Sequence, residues 1–238
     1  MTLSLDGNAN GNSTFSTTVA ASLTTSNTDD IIVALVATKH DGSSAPAISV
    51  ADGSSLTWTQ RYQLNSSDES YGIFWAHAAS ALSGDTITAT LSVSSSENTI
   101  IVFGVSGADT SYPFDNNASL TKHASGTSTA PAATGVSTDA TDTFLIGFGA
   151  AESIGGFSWS GPGSSLTTID TAAASAFVNF KSYADYKIVA SPQSGATIDA
   201  VLSTSAAWNF FADAIVAAGE GTAPPAASTK AAALLLGL

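Results

Sequence analysis

Cysteine is absent from this chain of 238 residues, which excludes a disulfide framework, a thiolate metal site and a cysteine nucleophile. That absence fits a protein made in reducing cytosol, where disulfides are rare. Basic residues are scarce: five lysines and one arginine stand against 19 acidic residues, for a formal charge of −13. Phosphate binding needs clustered Lys and Arg, and these six are scattered, so nucleic acid is excluded as a partner. Charge of either sign is sparse, 11% of residues against roughly 25% in ordinary globular domains. Ser, Thr, Gly and Ala take its place, as on an extracellular or virion surface more than on a cytosolic enzyme. No apolar run approaches the ~18–20 residues that cross a bilayer, so no membrane partner is expected. Met1-Thr-Leu-Ser-Leu-Asp-Gly-Asn8 has neither a basic n-region nor an apolar h-region. The expectation is a protein not exported by a signal of its own.

What is there is strand-forming sequence, and it occurs in two similar stretches. Asp30-Ile-Ile-Val-Ala-Leu-Val-Ala-Thr38 resembles Asp142-Thr-Phe-Leu-Ile-Gly-Phe-Gly-Ala150, and Asp85-Thr-Ile-Thr-Ala-Thr-Leu91 resembles Ala196-Thr-Ile-Asp-Ala-Val-Leu202. Asp30 to Asp142 is an offset of 112, Leu56 to Leu166 of 110 and Leu91 to Leu202 of 111. A near-constant offset predicts one strand-rich unit used twice, with pseudo-repeats at about 29–107 and 142–217.

Period-two alternation and β-branched clusters predict strands near 13–23, 30–38, 47–50, 56–64, 71–78, 85–93 and 99–106. The second half repeats the scheme near 143–150, 166–170, 176–190, 196–203 and 207–217. Asp52-Gly53, Ser83-Gly84 and Ser194-Gly195 are turn signals between them. The continuous apolar runs at Asp30–Val36 and Thr99–Val105 read as central strands. The expected fold is all-β: a two-sheet antiparallel β-sandwich, jelly-roll-like, built from the two pseudo-repeated halves and occupying residues 1–218. Two tandem immunoglobulin-like domains are the alternative. Residues 108–136 read as an ordered crossover between the halves, with Phe114 packed inward. Residues 219–238 form a Pro/Ala linker ending in the apolar tip Ala231-Ala-Ala-Leu-Leu-Leu-Gly-Leu238. Leu234, Leu235, Leu236 and Leu238 at that end are the candidate docking residues for a partner.

Chemistry-bearing clusters are few. His40-Asp41 with a serine has no nucleophile elbow around it and reads as a solvated turn. His77 reads as an interior or interface ring, and His123 has no evident carboxylate partner. Asp29-Asp30 and Asp68-Glu69 are paired carboxylates, but neighbours on a strand point to opposite faces, so neither pair can flank a sugar bond by itself. Asp109, Asp115 and Asn116 are candidate calcium ligands, without the spacing of a twelve-residue calcium loop and with Asx-turns around Pro113 as the competing reading. Apart from Ca2+ no cofactor is expected. Trp58, Trp75, Trp159 and Trp208, with Tyr62 and Tyr71, suggest a sugar-stacking platform, but aromatics also build sandwich cores, and Trp75 and Trp208, in apolar strands, read as core. Trp159 is the candidate glycan contact, because Gly155-Gly-Phe-Ser-Trp-Ser-Gly-Pro-Gly163 is a glycine-rich loop that would display it.

Val105-Ser-Gly-Ala-Asp-Thr-Ser-Tyr-Pro-Phe-Asp115 follows a Trp75-bearing strand and Gly84-Asp-Thr-Ile-Thr-Ala-Thr90, and precedes Asp142-Thr-Phe-Leu-Ile-Gly-Phe-Gly-Ala-Ala151. Together these resemble a β-sandwich module recurrent in tailed-phage virion proteins and large bacterial surface proteins, over about residues 13–217. The resemblance implies a non-enzymatic structural protein of the virion surface: a head decoration, a head fibre or a tail-associated protein. It would assemble in the host cytoplasm with other virion proteins, as a homo-oligomer, attached through its tail. The alternative is a carbohydrate-binding or adhesive module, extracellular or on a cell surface, recognising a host surface glycan. An enzyme such as a polysaccharide depolymerase is a third reading, disfavoured by the want of an acid/base pair.

Overall fold

The structure, a computed structural model, describes residues 2–40, 45–163 and 165–223. Fourteen strands and no helix occur among the described residues. In the first half they are β1 (Ser4–Leu23), β2 (Asp30–Lys39), β3 (Ile48–Ala51), β4 (Thr59–Asn65), β5 (Glu69–Ala78) and β6 (Asp85–Ser106). The second half holds β7 (Lys122–Ser128), β8 (Ala132–Val136), β9 (Thr143–Ser153), β10 (Trp159–Pro162), β11 (Thr167–Ser175), β12 (Asn179–Val189), β13 (Ala196–Leu202) and β14 (Ala206–Val216).

All pairings between these strands are antiparallel. One large sheet runs β1-β6-β2-β5-β4, with β3 on the outer part of β6; the other runs β7-β14-β9-β12-β11. Read from β1 and from β7, the two orders pair their strands in the same way. Residue parity explains the stacking. Ile31, Val33 and Leu35 of β2 point toward the second sheet, where Phe144, Ile146 and Phe148 of β9 meet them in the central core. Ile32, Ala34 and Val36 point the other way, against Val19, Ala21, Ile87 and Ile48. Leu145 of β9 and Phe210 of β14 likewise meet Ile198 and Ala133 of the small sheet β10-β13-β8. The molecule is therefore an all-β sandwich whose two main sheets each carry an outer β layer.

That explains why β2 is apolar on both faces. Each large side chain buried there stabilises the fold by about 1.5–3 kcal/mol. Polar bridges ring this apolar centre: Lys39 to Glu152, Arg61 to Asp213, and Asn8 and Asn10 to Asp170 each join the two halves. β1 and β6 reach from the outer layer into the main sheet, and their register shifts between Ser16 and Thr18 where they bend.

Several expectations need correction. The stretches 85–93 and 99–106 are one strand. Residues 108–136 are not a plain crossover, because β7 and β8 lie within them and supply an edge to the second main sheet and to its outer layer. Their short polar sequences carry little periodicity, since both are edge strands with few buried positions. β10 escapes the sequence pattern for the same reason. Phe114 is buried, bridging to Ile215. The apolar tip with Leu234, Leu235, Leu236 and Leu238 lies outside the described residues, as does Asp41.

Candidate functional site

The segment between β6 and β7 is tied down at two successive turns. Gly107 takes a positive φ of 77°, and a Cβ there would meet the Thr2 carbonyl at 2.6 Å, so the chain turns sharply where a side chain would clash. Asp109 then closes the turn: its Oδ1 accepts the Ser111 and Tyr112 N–H groups at 3.0 and 2.9 Å, and its Oδ2 accepts that of Gly219 at 3.1 Å. Burial pushes the Asp109 carboxyl up, but these N–H donors outweigh it and hold its pKa below the usual value.

Asp115 does the same for the next turn. Its Oδ1 accepts Asn117 N–H, while its Oδ2 accepts those of Asp139 and Ala140, each at 2.9 Å. The Asn116 amide donates to the Thr222 carbonyl and hydroxyl. Glu220 accepts the N–H groups of Thr141 and Asp142 and the Thr141 hydroxyl; bonding to Thr141 and those backbone donors lowers its pKa against a small burial penalty. The calcium candidates are thus separate clamps. Asp109 and Asp115 spend their oxygens on backbone donors, and no group of three His, Asp or Glu side chains suited to a metal exists among the described residues.

Three cavities flank this loop; the widest, of about 410 Å³, is lined by Asp29, Gly107, Asp109, Ser111 and Gly219, and two more lie on its other sides. One, of about 280 Å³, is lined by Asp115, Asn116, Asp139, Thr141, Glu220 and Thr222. The other, of about 230 Å³, lies between β4 and the loop, where Gln60, Arg61, Trp75, Tyr112, Pro113 and Phe114 line it. Its floor is rigid. Arg61 donates through Nε and Nη2 to the two Asp213 oxygens at 3.0 and 3.1 Å, gives a further bond to the Asp115 carbonyl, and lies 4.8 Å from the Phe114 ring centre. Trp75 packs edge-on against Phe114 with centroids 6.2 Å apart.

A second cluster lies between the main sheets. Glu69 Oε2 accepts the Tyr71 hydroxyl at 2.7 Å and the Asn209 amide at 2.7 Å. With that amide donating, the Asn209 oxygen takes the His123 Nε2 proton at 2.8 Å, and the His123 ring stacks on Phe211. Burial raises the Glu69 and Tyr71 pKa values. Lys39 bonds Glu152 at 2.7 Å and Asp68 at 2.9 Å; burial pulls its pKa down, but these carboxylates outweigh it and keep the ammonium charged. These groups satisfy one another across the sheets. The sequence gives no sign that His123 and Glu69 meet through Asn209, because they lie on different strands of different sheets.

The other candidates fall elsewhere. His40 is not solvated: it is fully buried, with Nε2 3.4 Å from the Ser70 hydroxyl. His77 bonds Asp29 at 3.2 Å. Asp30 is buried beside Asp6, and desolvation raises its pKa to about 6 against the opposing Ser106 bond. Trp159 is not displayed by its glycine-rich loop. It lies half-buried in β10, stacks one face on Tyr183 at 5.0 Å and donates to the Lys181 carbonyl, while it edges a cavity of about 190 Å³ with Ser158 and Thr171. Trp58 donates to Asp52, and Trp208 to Ser128. At the opposite bend, Phe15 and Phe177 form an exposed edge-to-face pair at 5.2 Å.

No protein-family model matches the chain, and no curated protein or solved structure matches it either.

Proposed function

We propose that this chain is a non-enzymatic structural protein of a phage virion surface, a decoration, a head fibre or a tail-associated protein, attached through its carboxy-terminal tail. The observation that carries the reading is the root of that tail. Gly219 to Thr222 is clamped to the body by Asp109, Asn116, Thr141 and Asp142, so the chain leaves the body from a fixed point.

The body suits such a role. Its large sheets are covered on both faces, and the Lys39–Glu152 and Arg61–Asp213 ion pairs tie its halves together. The matching pairing order of the two sheets supports a body made from two copies of one unit. The partners in this reading are other virion proteins and further copies of the chain, assembled in the host cytoplasm. The exposed Phe15–Phe177 pair is a second surface available for such contacts. Deleting residues 224–238 tests the proposal. The truncated body should still fold, with an unchanged unfolding midpoint, yet be missing from particles purified on a density gradient. Normal incorporation of the truncated protein would refute it.

A further inference from the structure

We infer that the cavity between β4 and the Ser111–Phe114 turn binds a neutral saccharide ring. Its walls combine two things a sugar needs. Tyr112, 44% exposed, and the partly exposed Trp75 offer ring surface to the C–H face of a pyranose. Around them stand uncommitted polar groups: the Gln60 amide, the Thr59 and Tyr112 hydroxyls and the Trp75 indole N–H all line or edge the cavity and make no hydrogen bond among the described residues. A free amide and free hydroxyls can each both donate and accept, which is what a sugar hydroxyl requires.

The charge pattern selects a neutral ligand. Arg61 is the one cation in the wall, and both Asp213 oxygens neutralise it. The adjoining cavity carries Asp115, Asp139 and Glu220, which with a net charge of −13 repel a polyanion. A purely apolar ligand fits less well, since it would bury Gln60 and the two hydroxyls without partners, at about 1–3 kcal/mol each. The volume of about 230 Å³ lies below the ~300 Å³ at which drug-sized pockets begin, so one ring enters and the rest of a glycan projects outward.

The site is also preformed. Asp109 fixes the Tyr112 backbone, Pro113 sets the corner, and the Asp213–Arg61–Phe114 stack holds the floor, so little ordering is lost on binding.

The test is a glycan array probed with the full chain, followed by ligand-observed NMR with the retained sugars. Neutral glycans should be retained. Tyr112→Ala and Gln60→Ala should each weaken binding at least tenfold at an unchanged unfolding midpoint, whereas Tyr112→Phe, which keeps the ring, should weaken it less. Trp159→Phe, remote from the cavity, should bind as the parent does. Retention of no glycan, retention of anionic glycans alone, or binding indifferent to both alanine variants would overturn the inference. None of these outcomes depends on how the tail attaches.

Discussion

Replacing Asp30 by asparagine should stabilise this protein above pH 6 and not below pH 4. Asp30 begins β2 with its side chain fully buried; its Oδ1 accepts the Ser106 hydroxyl at 2.5 Å, and its Oδ2 has no hydrogen-bond partner of good geometry. Desolvation, then the neighbouring Asp6, raise its pKa from 3.8 to about 6 despite the Ser106 bond. Asp6 is held ionised: burial opposes it, but bonds from the Asn27 and Ser26 backbone outweigh that and lower its pKa. A proton on Asp30 Oδ2 is therefore directed at an Asp6 carboxylate.

A carboxyl that prefers its proton in the folded state weakens the fold as pH rises. Below about pH 4 both states hold the proton and nothing is lost. Between 4 and 6 the unfolded chain releases it first, and stability falls; above 6 both states are ionised and the full deficit remains. The rise from 3.8 to about 6 corresponds to at most about 3 kcal/mol, and solvent reaching the pair past Asp6 reduces the expected value to about 1–2 kcal/mol. The substituted amide cannot ionise, and its N–H groups can serve Asp6 where the proton did. Thermal unfolding of the parent and of Asp30→Asn across pH 4 to 8 should show midpoints converging at pH 4 and separating by roughly 2–8 °C at pH 7.5. A midpoint difference independent of pH, or a less stable variant at pH 7.5, would refute the assignment of a proton to Asp30.

Glu97 is buried and accepts the N–H groups of Ala176, Phe177 and Val178 at the turn between β11 and β12. Glu97→Ala should lower stability by about 2–4 kcal/mol in urea unfolding, because three donors lose one acceptor, with exchange protection lost first at 176–178. Arg61→Ala removes the cation from the buried Asp213 carboxylate, leaving it only the Thr121 hydroxyl and the Ala214 N–H, and should destabilise by about 3 kcal/mol; an unchanged urea midpoint would count against this bridge. Gly149→Ala places a Cβ against the Phe210 ring and 2.9 Å from the Asn209 carbonyl, so overpacking by about 1–3 kcal/mol is expected in the same assay.

Much of the fold is legible in sequence because strands covered on one or both faces write their burial into residue type. Asp30 to Thr38, Thr143 to Ala150 and Ala207 to Ala217 are strands within a few residues of where the apolar pattern places them. The strands that escape notice, β7, β8 and β10, are edge strands rich in Ser, Thr and Gly, with too little burial to impose alternation. The candidate sites are harder to read. Asp109, Asp115 and Asn116 stand out as oxygen-rich, but sequence cannot say that the oxygens of both aspartates face backbone N–H groups. Trp159 reads as exposed because glycines surround it, whereas Tyr183 and Lys181 of β12 take one face and the N–H of the indole.

Composition and periodicity by themselves determined an all-β chain, acidic and without cysteine, whose strands fall at a near-constant offset, since local patterning needs only the chain's own neighbours. Tertiary structure alone decided that the main sheets pack face to face with outer layers over both. It also decided that Glu69 meets Asn209, that Arg61 meets Asp213, and that Trp75 meets Tyr112 across an open cavity. The Glu69–Asn209 and Arg61–Asp213 pairs lie 140 and 152 residues apart, and only the stacking of two sheets at one particular register brings their side chains within reach.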